Sequence, residues 1–189
     1  MKKVSGIILA GGKSSRFGRD KCLYEYKGKP LIMHSLDIMK RVVESAQLIL
    51  STNNPDAYSG FGIRIISDIH RNCGPLGGLH SALTNSPADY IAVIPCDTPF
   101  VHPGLYDFLL KNSEGYDAVI PTHGKYAEPM CGLYRKSCLG NLDKAIMSRR
   151  LKILDALSTL QVNFADPSGE EFYTAGMFHN INRISDIPS

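Results

Sequence analysis

The chain has 189 residues, 43% hydrophobic and 21% charged, with a formal net charge of +3. That length suits a single globular domain over residues 1–189 with a core of its own. The charge is too small to argue for nucleic-acid or membrane partners, and no run approaches the roughly 18 apolar residues of a membrane helix.

The first predicted element is the run "SGIILA" (5–10), short and β-branched, like a strand buried on both faces. It stops at Gly11 and Gly12, after which Lys13, Arg16, Arg19 and Lys21 crowd a loop. A helix is expected over 30–45, because Pro30 suits a first turn and Leu31, Ile32, Leu36, Met39 and Val43 share a face. Strands follow at 46–52 and 62–67, then a helix at 75–86 entered through glycines. "DYIAVIPC" (89–96) reads as a second strongly buried strand, followed by a helix at 102–113 and a strand at 116–122. The stretch 128–148 reads as a short strand and then a helix from about Lys136. A further helix is expected over 149–160, and the tail 178–189 as a strand end and loop.

Strands alternating with helices of about 10–15 residues imply β-α-β units, hence a three-layer α/β/α arrangement around a mostly parallel sheet. Ligands gather at the carboxyl ends of such strands. The glycine loop follows one buried strand, and Pro95-Cys96-Asp97 follows the other.

Two phosphate motifs fail here. A Walker A loop ending in Gly12-Lys13-Ser14 requires glycine where Ile7 stands, and the adjacent Gly11-Gly12 breaks the GxGxxG spacing. The loop keeps a mechanism nonetheless. Gly11 and Gly12 let backbone N–H groups approach a ligand, Arg16 offers a planar fork for phosphate oxygens, and Lys21 a mobile cation. A solvated surface turn is the competing reading. Asp97, between prolines past a buried strand, suits Mg²⁺ held with phosphate oxygens; it also suits a cap or turn.

The cysteines, Cys22, Cys73, Cys96, Cys131 and Cys138, are odd in number, scattered and without a CxxC pair. They read as reduced thiols that mostly pack. The opening "MKKVSGIILAGGKSS" has too short an apolar stretch for a signal peptide. These features lead to an expectation of a cytoplasmic protein. The histidines show no ligand spacing; His80 reads as packing, and His70 with Cys73 is a weak candidate pair for a soft metal. Cys96 has no assignable His or Asn partner that would make it a nucleophile.

"LAGGKSSRFGRDK" (9–21) resembles the signature of molybdenum cofactor guanylyltransferases, the MobA family. "GKPLIMHSL" (28–36), "IISD" (65–68), "GPLGGLHSAL" (74–83), "PCDTPF" (95–100), "EPMCGLY" (128–134) and "FHNIN" (178–182) resemble further family segments in the same order. The resemblance implies a Rossmann-like fold of the nucleotide-diphospho-sugar transferase type. It implies transfer of GMP from GTP to the terminal phosphate of molybdopterin, usually carrying molybdenum, with release of pyrophosphate. GTP, the pterin and proteins of cofactor synthesis and delivery are the implied partners, and Mg²⁺ the implied metal.

Residue by residue, the resemblance places Leu9, Ala10 and Gly11 beside guanine and ribose, with Gly12 in the same loop. Lys21, with Arg16, would act on the triphosphate, Asp68 would contact the nucleotide, and Asp97 would hold Mg²⁺ and touch GTP. The family pattern has Asn where Ser51 stands; the Ser51 hydroxyl or Asn53 is expected to take that contact. Asn180 and Asn182 would lie near the pterin. Phe17 and Met130 replace Met and Leu without evident harm. Arg149, Arg150 and Lys152 form a basic knot, read either as a solvated helix start or as a pterin contact. The rival readings are a molybdopterin cytidylyltransferase, another small-molecule nucleotidyltransferase, and a non-catalytic GTP-binding carrier. Gly11-Gly12 favours a purine over the cytidylyl enzyme, and Lys21 with Asp97 favours an enzyme over a carrier.

Overall fold

The computed structural model describes residues 2–11 and 20–186. Its strands are β1 (Val4–Leu9), β2 (Glu25–Tyr26), β3 (Lys29–Pro30), β4 (Leu48–Ser51), β5 (Arg64–Ile66), β6 (Tyr90–Pro95), β7 (Ala118–His123), β8 (Tyr126–Ala127), β9 (Leu133–Arg135) and β10 (Val162–Ala165). Its α-helices are α1 (Leu31–Met39), α2 (Pro75–Asn85), α3 (Gly104–Lys111), α4 (Leu139–Met147) and α5 (Ile153–Leu157).

The main sheet runs β10-β7-β9-β6-β1-β4-β5, with β8 paired to β7. β1 pairs in parallel with β4 and β6, β4 with β5, and β7 with β10, while β9 runs antiparallel between β6 and β7. Side chains alternate across a strand, so β1 and β6 each feed two cores. Ile8, Ala92 and Ile94 join Ile32, Leu36 and Met39 of α1 and Leu105 and Leu109 of α3 on one face. Ile7, Leu9, Ile91 and Val93 join Leu76, Leu79 and Leu83 of α2, Leu142 and Ile146 of α4 and Ile153 and Leu157 of α5 on the other. That is the expected three-layer α/β/α order. Each fully buried Ile or Leu in it contributes about 1.5–3 kcal/mol through apolar burial.

Several elements are shorter than their sequence patterns suggest. The apolar face of α1 continues to Val43, yet the helix ends at Met39 and the chain turns into a 3-10 segment at Ser45–Gln47. The expected helix 149–160 shrinks to α5, because Arg149 takes a left-handed φ of 56°. The 128–148 stretch resolves into a 3-10 turn, β9, a second 3-10 turn at Lys136–Cys138 and α4. Among the described residues the tail forms no strand and includes a 3-10 turn, Ile184–Asp186. Among the described residues no helix is long and apolar enough to cross a membrane.

Cys22 and Cys96 are not free thiols, contrary to the sequence reading. They form a disulfide with a Cα–Cα distance of 5.7 Å. Spacing hid it, since 74 positions separate the two. Folding joins them because the segment after β1 and the tip of β6 meet. Cys73, Cys131 and Cys138 are buried thiols. Burial pushes the Cys138 thiol up to about 12 and raises that of Cys131 further.

Candidate active site

The site grows from the carboxyl ends of β4, β1 and β6. Their register sets Leu9 opposite Ser51 on one side and Pro95 on the other. The ladder continues one step beyond the strands: Ala10 N donates to Ser51 O at 2.9 Å and Cys96 N to Leu9 O at 3.1 Å. Ala10 is buried, and Gly11 then emerges with nothing among the described residues within 4 Å of where a Cβ would stand, as close approach of the backbone to a ligand requires.

Asp20 caps the 3-10 turn Lys21–Leu23, accepting from Cys22 N at 3.1 Å. Its other oxygen accepts from the buried Tyr58 hydroxyl at 2.6 Å. Burial, and then the Asp20 carboxylate, hold the Tyr58 hydroxyl well above its ordinary pKa. Tyr58 therefore stays a neutral donor and braces the residue next to Lys21.

Lys21 Nζ pairs with an Asp97 carboxylate oxygen and donates to Asn182 Oδ1 at 3.0 Å. The Lys21 and Asp97 side chains are only 18% and 16% exposed, so water screens the pair weakly. Asp97 O accepts from Ile181 N at 2.9 Å, which sews the FHNIN segment to the tip of β6. Asp186 in turn accepts from Asn182 N at 2.9 Å and Arg183 N at 2.8 Å. The bond from Asn182 N is the main cause holding the Asp186 carboxyl below its usual value.

A second acidic residue sits on the β4 side. Asn53 Nδ2 donates to Asp68 Oδ2 at 2.9 Å, and Asp68 N donates to Asn53 Oδ1 at 3.1 Å. Ser51 Oγ reaches Asp68 Oδ1 only at 3.5 Å. Of Ser51 and Asn53, Asn53 makes the tighter contact with Asp68. Gly78 of α2 lets these parts converge: a Cβ there would stand 2.9 Å from Leu9 Cδ2, 3.3 Å from Ser51 Oγ and 3.7 Å from Asp68 Oδ1.

Beside Asn182 opens a cavity of about 480 Å³, lined by His123, Glu128, Phe178, His179 and Asn180 among others. His123 Nε2 lies 2.8 Å from Glu128 Oε1, and its ring stacks on Phe178 at 5.4 Å. Among the described residues Asn180 Oδ1 is buried there without a hydrogen-bond partner, a polar atom left over for a ligand.

The family model for the "MobA-like NTP transferase domain" matches residues 6–161. The chain belongs to the MobA-like NTP transferase family. It is 34% identical to the molybdenum cofactor guanylyltransferase of Shewanella putrefaciens, over 97% of this chain and 93% of that one. It is 31% identical to a Pelotomaculum thermopropionicum protein named "probable molybdenum cofactor guanylyltransferase", over 99% and 91%. Among solved structures it is similar to molybdopterin-guanine dinucleotide biosynthesis protein A of Archaeoglobus fulgidus, with a TM-score of 0.80, 27% identity and coverage of 97% and 94%.

In this MobA-like domain the predicted residues fall into two groups. Lys21, Asp97 and Asn182 make direct contacts, with Asn180 on the adjoining cavity. Leu9, Ser51 and Asp68 cluster around Gly78, and Asn53 bonds to Asp68. Gly12 and Arg16 lie outside the described residues. Sequence reasoning missed Tyr58, His123 and Glu128. Glu128 stood in a quoted motif and was traceable; Tyr58, in an irregular segment, carried no pattern.

Proposed function

We propose that this chain transfers GMP from GTP to the terminal phosphate of molybdopterin, usually loaded with molybdenum, and releases pyrophosphate. It does so as one domain in the cytoplasm, with Mg²⁺. The reading rests above all on the meeting of Lys21 and Asp97 at the tips of the β1 and β6 strands. Full-length likeness to guanylyltransferases supports the purine nucleotide and the pterin acceptor.

Asp97 fits Mg²⁺ on the chemistry of its donor: a partly exposed carboxylate paired with Lys21 among the described residues, where the ion takes one or two carboxylates plus phosphate oxygens. When bound, Mg²⁺ neutralises phosphate charge and fixes its geometry. The rest falls to the chain's own groups. A phosphate oxygen of the pterin attacks the α-phosphorus in line as pyrophosphate leaves. The attacker is already an anion, so no strong base is required; the work is to bring two anions together and hold them in line. Lys21, released from Asp97 as the triphosphate enters, donates to phosphate oxygens and stabilises the leaving charge. Gly11 offers backbone N–H, and Arg16 a bidentate fork. Leu9 and Ala10 line the base and ribose side, and Asp68, oriented by Asn53, contacts the nucleotide. Asn180 and Asn182 face the pterin.

The test is pyrophosphate release from GTP, CTP or ATP in the presence of Mg²⁺ and molybdopterin, with the product identified by mass. GTP alone is expected to give the guanine dinucleotide. Preference for CTP makes the enzyme a cytidylyltransferase, and no release with any nucleotide overturns the assignment.

A further inference from the structure

On the face of the sheet covered by α2 and α4, away from the Lys21–Asp97 pair in sequence and partners, three metal-binding side chains converge. His80 (α2), Asp143 (α4) and His70 (the connection from β5 to α2) each offer a donor atom, and these atoms lie within 4.8 Å of one another. His80 Nε2 is 2.7 Å from Asp143 Oδ1, and the His70 and His80 rings lie edge to face at 4.7 Å. A packed polar trio accounts for those contacts. The same three side chains are of the types that ligate transition metals, and His80, which faces Asp143 through Nε2, is only 6% exposed and so is fixed in place by packing.

We propose that His70, His80 and Asp143 bind a transition-metal dication of the Zn²⁺ or Co²⁺ class, outside the nucleotide site. Two imidazoles and one carboxylate suit these ions and not Mg²⁺ or Ca²⁺, which select oxygen ligands. Around a tetrahedral ion with bonds of about 2.1 Å, ligand atoms stand about 3.4 Å apart, so the 2.7 Å His80–Asp143 pair has to open slightly while His70, whose donor lies within 4.8 Å of the other two, draws in. His70 is the member that lies outside a helix, on a connecting segment with positive φ at Asn72 and Gly74. Asp143 is 45% exposed and provides the way in. The bound ion ties the 67–74 connection to α2 and α4. His70 O lies 2.8 Å, and Asp68 Oδ2 3.3 Å, from the Cβ position of Gly77, so the same tie steadies the segment that carries Asp68.

Chelator-treated protein is titrated with Co²⁺ under a large excess of Mg²⁺, which holds the Asp97 site, and followed by visible d–d absorption. One Co²⁺ per chain at micromolar concentration, displaced by Zn²⁺, is expected. His70→Ala and Asp143→Asn, both on accessible side chains, each weaken it at least tenfold while circular dichroism is unchanged. Absence of Co²⁺ absorption in the wild type, or equal uptake by both variants, overturns the proposal.

Discussion

Lys21 and Asp97, 76 positions apart, form an ion pair at the tips of two parallel strands, and Asn182 shares the lysine. The pair keeps a cation and an anion apposed in a position where each is needed separately once a triphosphate and its metal arrive. Asp97→Ala is expected to lower kcat/KM for pyrophosphate release about 10²-fold or more, about 3 kcal/mol, as for loss of a preorganised electrostatic contact. Lys21→Ala falls in the same range, and the double variant loses less than the product of the two, because residues acting as a unit are not additive. A near-normal rate for either single variant contradicts the assigned roles.

The mutual hydrogen bonds of Asn53 and Asp68 make Asn53 a positioning residue. Asn53→Ala is expected to raise KM for GTP about tenfold, the scale of one or two lost hydrogen bonds near 1.4 kcal/mol in total. Ser51→Ala, which removes only the 3.5 Å contact, leaves KM within about twofold. Steady-state kinetics at saturating pterin distinguish the two; a larger effect at Ser51 reverses the ranking.

Closing a loop of 74 positions restricts the unfolded chain, which the chain-entropy treatment values at about 4 kcal/mol. Reduction of Cys22–Cys96, or Cys22→Ser, is expected to lower the urea midpoint without changing the far-ultraviolet spectrum. Equal midpoints with and without dithiothreitol argue that the bridge contributes nothing to stability.

Alkaline pH destabilises this fold by a definite route. The unfolded chain releases the Cys138 proton near its ordinary value of 9.0, while the folded chain holds it to about 12. Between those values the unfolded state binds fewer protons, so stability falls as pH rises; below about 9 the contribution is complete. Tyr58, Tyr106, Tyr134 and Cys131, all raised mainly by burial, act with the same sign. Each group contributes up to about 1.4 kcal/mol per pH unit once its unfolded form titrates. Urea midpoints are expected to be flat to pH 9 and to decline by pH 10.5, with a shallower decline in Cys138→Ala. A flat profile through pH 10.5 sinks the account.

Much of this was legible because burial leaves a periodic trace. Ile7, Ile8, Ile91 and Ile94 sit in continuous apolar runs, which mark both central strands. Lys21, Asp97 and Asn182 were legible through motifs in sequence order. What escaped was set by tertiary contact. β10 alternates Val162, Asn163 and Phe164 on an edge, with Phe164 54% exposed, so its burial signal is weak. The β2–β3 hairpin turns on Lys27 and Gly28, both at positive φ, and each strand is two residues long. The reversed direction of β9 depends on how residues 124–132 turn back, which local patterns do not encode. Gly77 and Gly78 read as a helix entrance, and their smallness instead lets α2 approach the connection before it and the tips of β1 and β4.

The bridge from Cys22 to Cys96 encloses β2 through β6 in a covalent ring. A protease that cuts once between those cysteines therefore leaves a nicked protein that migrates as one species until it is reduced. A single cut at any position from Asp97 onward gives two fragments that part on denaturation without reduction.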